Sequence, residues 1–505
     1  MKKATQARSR RGAAMILYTV LLPTLLLFCG LAIDLSILYV VQTRLSAAVD
    51  GAALGAGRLL GSSANTNEIA NEFLNANYPA GYWGTTNLTP NISVTTNASL
   101  HTIVVTASVQ APLLFLRILR QNNCTVAATA TAVRRDVRIE LVLDRSYSMV
   151  NQMSTLRSVA SNFVNMFIPG HDEMGLVILS GSSYTAYPNP TQTPSYNYTG
   201  GNGPDVHYAD PVTGTGQNML TTIAALQVGT DTNTSEAVWL AYKELQKAMT
   251  ADSDPTKANV IVLFTDGLPN GFTAYLNDPS HNALAAGNCY YNPSTGTSNK
   301  QIGWIATAGN ASDITFFSPY ASSGNGFYVP LIFNTAHSNY WWASTVIGSY
   351  VPDMNQVTGT PMYGCYNIGD SNLSGLAKIP PQDFYGNSTT GTAYTQGALY
   401  KKYGIAYDQT KPNNGYHMGL ASWNVADNAA QKILADTTSN IAIYTIGFTG
   451  DGGVDAALLK RMANDATASS YNSNYATGEY VEAWDAASLQ NAFWQVASQI
   501  LRLTH

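Results

Sequence analysis

Ile139-Glu140-Leu141-Val142-Leu143-Asp144-Arg145-Ser146-Tyr147-Ser148 is the stretch on which the reading of this chain turns. Its first half is a short apolar run of the length of a buried strand, predicted over about Val137 to Leu143. Its second half, Asp-x-Ser-x-Ser, places one carboxylate and two hydroxyls on a tight loop at the strand's end. All three groups offer hard oxygen atoms, which suit Mg²⁺ or Ca²⁺. Asp and Ser are common loop residues, so the loop acquires meaning only if further oxygen donors follow in order.

They follow. Thr232-Asn233-Thr234-Ser235-Glu236 opens an apolar-periodic segment, Ala237 to Met249. Asn233, with Glu236 three residues on, is a helix start with a carboxylate expected to reach back. Val260 to Thr265 is strand-like and ends in Asp266-Gly267. Between these, Leu156, Val159, Ala160, Phe163, Val164 and Phe167 fall at helical spacing, and Gly175 to Leu179 reads as a buried strand. Ser180 to Gly216 reads as a polar loop. Apolar strands alternating with helices predict an α/β fold, an open and mainly parallel sheet with helices on both faces. Ligands of such sheets gather at the carboxyl ends of the strands, where Asp144 and Asp266 would converge.

Asp-x-Ser-x-Ser, then Thr232, then a strand-terminal Asp266-Gly267 resembles the metal-ion-dependent adhesion site of von Willebrand factor type A domains. The resemblance runs from about Val137 to Leu503, with one interruption, and assigns 135–505 to such a domain, a Rossmann-like sheet. It implies that Ser146, Ser148 and Thr232 bind a metal through hydroxyls, and Asp144 and Asp266 directly or through water. Mg²⁺ is the expected ion, because few carboxylates and several waters suit it, with Ca²⁺ or Mn²⁺ as alternatives. The family captures a protein partner's carboxylate on that ion. Two positions depart from the family pattern. Asp231 stands where Gly is usual: it either adds a carboxylate near the metal or points to solvent. Tyr147 replaces a small residue and either joins the contact face or packs against the insertion.

After Asp266 the pattern lapses until about Ala426, which marks an inserted subdomain over about 268–425. It is rich in Tyr, Asn, Gly and Ser, and is expected to overhang the metal edge as a lid or an added binding surface. Its Tyr residues suit either carbohydrate stacking or core packing. Cys289 and Cys365 lie in it and either pair or remain thiols. His281, His337 and His417 keep open a hydrolase built on this insertion, although no nucleophile elbow, phosphate loop or zinc-ligand spacing accompanies them. The pattern resumes with a helix over Asn428 to Ala435, a strand over Ile441 to Gly447, a helix over Val454 to Ala463, and Glu479 to Glu482. Asp485 caps a last helix with Leu489, Phe493, Val496, Ala497, Ile500 and Leu501 on its apolar face.

Upstream, Lys2, Lys3, Arg8, Arg10 and Arg11 form a basic tail over 1–12. Ala13 to Ile33 carries no charge and is long enough to span a bilayer, longer than a secretory signal's apolar region. The expectation is a retained single-pass anchor, 13–59 with its continuation. Its N-terminus would be cytoplasmic and the bulk of the chain outside the bacterial inner membrane. Asp34 interrupts the apolar run, either at the membrane–water boundary or in a buried contact with a partner helix. Residues 60–134 read as a small α+β stalk, with strands near Asn91–Thr95, Thr102–Val109 and Thr125–Val133; Leu113 to Leu119 is apolar and expected to cover that sheet. Arg11-Gly12-Ala13-Ala14, Gly30-Leu31-Ala32-Ile33-Asp34 and Leu45 to Leu54 together resemble the N-terminal region of TadG-like proteins of the Flp/Tad pilus-assembly system. Related pseudopilins carry Glu shortly after the processing Gly, whereas Leu17 stands there here, which favours a stationary membrane protein.

Charged residues are 11% of the chain, against roughly a quarter in ordinary domains, a balance that fits an exported protein. The net charge of −5 gives no footprint for nucleic acid. The expected function is a non-enzymatic adhesion or assembly protein that binds a protein partner and pilus-assembly components. A structural envelope protein that does not use its metal site is the alternative beside the hydrolase.

Overall fold

The computed structural model describes residues 3–58, 65–181, 183–188, 203–210, 218–229, 232–275, 302–306, 379–391, 406–410, 415–450 and 453–502. Asp231, His281, His337, Cys289, Cys365 and most of the expected insertion lie outside the described residues. The chain forms two compact units that divide between Arg135 and Asp136.

The first unit is built on one helix, α1 (Lys3–Arg58). In its C-terminal half, Ile37, Val41, Leu45, Ala48, Val49, Ala52 and Ala56 recur at three- and four-residue spacing and are buried. They pack with a three-stranded antiparallel sheet in the order β1 (Thr86–Asn97), β2 (Leu100–Pro112), β3 (Asn123–Arg135). Ile103, Val105, Ala107 and Val109 of β2 alternate inward, as do Val126, Ala128, Ala130 and Ala132 of β3. A short helix, α2 (Thr66–Asn77), starts at Asn65, whose side chain accepts from the Asn67 amide at 3.0 Å. It lies close to α1 because Gly55 carries no side chain: a Cβ there would come within 2.5 Å of the Phe73 ring.

Two readings of this unit change. Asp34 makes a contact within its own unit that the sequence did not show. It is fully buried, and its carboxylate accepts from the backbone amides of Leu114 (2.8 Å), Phe115 (3.1 Å) and Leu116 (2.8 Å). Leu113 to Leu119 does not cover the sheet. Only Leu113 turns inward; Leu114, Phe115, Ile118 and Leu119 are exposed around a 3₁₀ turn, Leu116–Leu119. The apolar face of the sheet is already covered by α1, and its other face carries exposed Thr125, Thr129 and Thr131, which offer the loop no apolar surface.

The second unit contains β4 (Val137–Asp144), α3 (Met153–Val164), β5 (Glu173–Leu179), β6 (Tyr184–Tyr187), α4 (Met219–Ala224), α5 (Thr234–Ala251) and β7 (Ala258–Thr265). After these come β8 (Gly271–Tyr275), β9 (Ile302–Ala306), α6 (Gly415–Ala435), β10 (Ile441–Phe448), α7 (Ala456–Met462), β11 (Tyr480–Ala483) and α8 (Ala486–Arg502). Six strands form one sheet in the order β11-β10-β7-β4-β5-β6. Every pairing is parallel except β5 with β6. Ile139, Leu141 and Leu143 of β4 face a core with Leu156 and Phe163 of α3 and Phe493 and Val496 of α8. Val142, with Ile261 and Leu263, faces the opposite core, with Val238, Ala241 and Leu245 of α5 and Ile433 of α6. Helices on both faces leave all of β4 buried, which explains its nearly unbroken apolar run.

The polar loop after β5 contains the edge strand β6, too short and polar to show as a periodic run. Helix α6 begins at Gly415, well before the expected Asn428, so the lapse in pattern is shorter than its sequence suggests. Within it, β8 and β9 pair antiparallel. Residues 379–391 are held along α6: Asn424 donates to the Thr389 carbonyl (2.7 Å), Asn428 to that of Ser388 (2.8 Å), and Lys432 to that of Gly386 (2.6 Å).

Candidate metal centre

Strands β4 and β7 are adjacent and parallel, with Leu143 opposite Phe264. Asp144, one residue past Leu143, and Asp266, two past Phe264, therefore emerge at the same sheet edge. Both are fully buried. The loop after β4 turns back at once because Asp144 Oδ1 accepts from the Ser146 amide at 2.7 Å. That turn aims both hydroxyls at β7: Ser148 Oγ donates to Asp266 Oδ1 at 2.8 Å, Ser146 Oγ lies 3.4 Å from the same atom, and the two hydroxyls are 3.0 Å apart. Thr232 arrives from the loop before α5. A Cβ placed on Gly267 would meet Thr232 Oγ1 at 3.4 Å and Ser148 Oγ at 3.9 Å, so the three elements surround one small space.

All five residues read as metal ligands are thus brought together. Two further residues, not foreseen, hold them. Thr265 Oγ1 donates to Asp144 Oδ2 at 2.5 Å across the β4–β7 junction. Asn270 clasps Thr232 through two bonds: its side-chain oxygen accepts from the Thr232 amide at 2.7 Å, and its own amide donates to the Thr232 carbonyl at 3.1 Å. Thr265 was visible as the last residue of its strand. Asn270 had a weaker signal, a short polar residue just past Asp266-Gly267 at the ligand edge. The helix start also differs in detail. Asn233 caps α5, but Glu236 does not reach back to the Asn233 backbone. Its Oε2 accepts from the Asn233 side-chain amide (2.9 Å) and the Ser183 amide (2.8 Å). Asn233 also donates to Thr273 Oγ1 of β8 at 3.0 Å, so the residues that open the insertion brace the Thr232 loop.

The donor set fits a hard divalent cation on two counts. Asp266 Oδ2 is buried and has no hydrogen-bond partner among the described residues, whereas buried carboxylate oxygens are normally satisfied. Burial also pushes the Asp144 carboxyl up, against the hydrogen bonds of Thr265 and Ser146. Burial and then the charge of Asp144 push Asp266 up further. Two carboxyls that repel each other in a dry pocket lined by three hydroxyls gain most from a bound cation. Tyr147 is 70% exposed, and Val150 of the same 3₁₀ turn is exposed with it. His417, from the hydrolase reading, is buried in α6 and its Nδ1 accepts from the Asp408 amide at 3.1 Å. Cys29 and Cys124 are free thiols.

At the N-terminus, residues 12–59 match the sequence model of a family described as "Flp pilus-assembly TadE/G-like". This segment of the chain is TadE/G-like. The second unit has the strand order and the ligand edge of a von Willebrand factor A-type fold. Among solved structures, the chain is similar to the PilB minor pilin of Streptococcus sanguinis, at 15% identity over 84% of this chain and 79% of that one, with a TM-score of 0.34. It is similar to the vWF domain of the type V pili tip protein Mfa5 of Porphyromonas gingivalis, at 16% identity over 74% of this chain and 98% of that one, TM-score 0.34. The pilus adhesin RrgA of Streptococcus pneumoniae matches at 14% over 82% and 49%, TM-score 0.29. No curated protein matches the chain. Superpositions this loose carry no argument about the site, which rests on its own geometry.

Proposed function

We propose that this chain is a membrane-anchored, non-enzymatic adhesion or assembly protein of a Tad-type pilus system, whose A-type domain binds a protein partner through Mg²⁺. The TadE/G-like segment supports the pilus assignment. Helix α1 is long and apolar enough to cross a membrane, and the basic residues in its first turns, Lys3, Arg8, Arg10 and Arg11, favour a cytoplasmic start. One observation carries the binding mode: Asp266 Oδ2 is buried with no hydrogen-bond partner among the described residues, while its Oδ1 meets the Ser146 and Ser148 hydroxyls and Thr232 lies against the adjoining Gly267.

In this reading Ser146, Ser148 and Thr232 hold the ion, and Asp144 and Asp266 balance its charge. A bound Mg²⁺ supplies an electrophilic position for a partner's carboxylate. Thr265 and Asn270 fix the ligands before the ion arrives, and Tyr147 supplies apolar contact at the rim.

The test uses the full chain in detergent. Calorimetric titration with Mg²⁺ should show binding that the double variant Asp144→Ala, Ser146→Ala lacks, and cells carrying that variant should lose Mg²⁺-dependent surface attachment. Wild-type protein that takes up no Mg²⁺, or full attachment by the variant, overturns the reading.

A further inference from the structure

The loop between β2 and β3 is an unusual surface. Leu114, Phe115, Ile118 and Leu119 are 51%, 39%, 75% and 59% exposed on consecutive turns, and Arg117 and Arg120 flank them, also exposed. Among the described residues of this unit, nothing covers the patch. Its position is fixed by α1. Asp34 collects the three amides of Leu114, Phe115 and Leu116, and Phe115 lies on Gly30, where a Cβ would come within 2.6 Å of the ring. Gly30 lies about one helical turn, roughly 6 Å, below Asp34 along α1. The loop is therefore clamped beside the upper end of the apolar segment, not beyond it.

The helix at that level is dressed for lipid. Leu25, Phe28, Leu31 and Leu35 are exposed, and burial against the sheet begins only at Ile37 and Val41. The hydroxyls of Thr19, Thr24 and Ser36 fold back onto the carbonyls of Met15, Val20 and Ala32 at 2.7, 2.8 and 2.7 Å, so these three need no water. An apolar loop continuous with such a surface shares its solvent. The two arginines suit the headgroup layer, where long basic side chains reach phosphate while their stems stay in apolar surroundings.

We propose that residues 113–120 form a second membrane contact, a wedge that inserts into the outer leaflet beside α1, with Arg117 and Arg120 at the anionic headgroups. The buried Asp34 clamp then has a purpose: it satisfies three amides that would otherwise enter the bilayer unpaired. Two attachment points fix the orientation of the unit on the membrane, which a single helix free to rotate does not.

The inference rests on the anchor reading, and the experiment separates the two. Full-length protein is reconstituted into phosphatidylethanolamine–phosphatidylglycerol vesicles containing doxyl-labelled lipid. One environment-sensitive fluorophore is attached at native Cys29, with Cys124, Cys289 and Cys365 replaced by Ser. In a cysteine-free background it is attached at Ile118→Cys or, as a control at the opposite end of the β1–β2 hairpin, at Asn97→Cys. The expected result is strong quenching at positions 29 and 118 and none at 97. Quenching at 29 with 118 no different from 97 overturns the wedge and leaves the anchor intact. No quenching at 29 overturns both. Should the cysteine replacements prevent folding, a photoreactive benzophenone side chain installed at Ile118 in the otherwise native chain gives the same decision. Lipid adducts support the wedge, and their absence, with adducts formed from Phe28, overturns it.

Discussion

Asp144 and Asp266 approach the same space from neighbouring strands, and their surroundings are arranged unequally. Both oxygens of Asp144 are engaged, by the Ser146 amide and by Thr265, whereas Asp266 keeps Oδ2 free of hydrogen bonds. The arrangement stores an unfavourable feature that a cation would relieve, which separates a binding site from a merely structural cluster. Asp266→Asn should stabilise the cation-free protein by about 1–2 kcal/mol, because it removes a buried carboxyl beside another and lets the new amide donate. The same variant should lose its response to Mg²⁺. Chemical denaturation with chelator and with Mg²⁺ reads both; destabilisation in chelator would mean that Asp266 is there for the fold alone. Thr265→Val tests the second layer. It leaves every proposed ligand in place but frees Asp144 Oδ2, and should weaken Mg²⁺ binding roughly 10–100-fold with little change in fold. Calorimetric titration measures that loss.

Strand β4 carries the ligand loop at one end and two charged residues along its length, each with a different consequence. Arg138 is buried near its start, donating to Glu173 Oε2 at 3.0 Å and to Asp252 Oδ2 at 2.9 Å. Arg138→Ala leaves Glu173 buried with Lys257 as its remaining cation and should destabilise the fold by about 3 kcal/mol. Glu140 lies in the middle of the strand, fully buried, with neither carboxyl oxygen bonded among the described residues. It fits only because Gly175 on β5 has no side chain: a Cβ there would overlap the Glu140 carboxyl. Burial, and then the charge of Glu244, hold Glu140 well above the ordinary carboxyl range, with Lys247 opposing. The folded state therefore keeps a proton that the unfolded chain releases near pH 4.5, and stability falls as pH rises above that value, by up to about 1.4 kcal/mol per unit. Glu140→Met, of similar volume, should raise stability by about 1–3 kcal/mol near pH 7 and flatten that fall. Urea midpoints measured from pH 4 to pH 8 decide it. The sequence displayed Glu140 inside an apolar run without revealing its state, because the residues that set it, Gly175 on β5 and Glu244 on α5, come from distant segments. The helix starts were easier. Asn233 and Asp485 were legible because a cap is local; Asp485 does accept from the Ser488 amide at 2.7 Å. Glu236 was misjudged because its partner Ser183 comes from a distant loop.

At the scale of the whole molecule, legibility followed the same division between local and distant causes. The anchor, the alternating strands of the stalk and the parallel sheet all announce themselves as periodic runs. That Asp144 and Asp266 share one edge was readable, because strand ends in such a sheet lie together; the metal-binding roles proposed for the five residues came from the resemblance. Asn270 and the Asp34 clamp were not readable, since each depends on residues brought together by the fold: Thr232 in one case, the β2–β3 loop in the other. The two compact units have separate hydrophobic cores, and that independence yields a last prediction. A cation bound only by the folded second unit stabilises that unit by mass action, about 2.7 kcal/mol at one hundred times its dissociation constant. It gives the first unit nothing, since Asp144, Ser146, Ser148, Thr232 and Asp266 all lie after the division at Arg135. Scanning calorimetry of the full chain in detergent should therefore show two transitions. Mg²⁺ should move one upward, by about 1–2 °C per kcal/mol gained in a unit of this size, and leave the other in place. Chelator should reverse the shift, and Asp144→Ala should abolish it. A single transition, or two that move together, would show that the units do not melt independently; two transitions that both ignore Mg²⁺ would remove the metal centre itself.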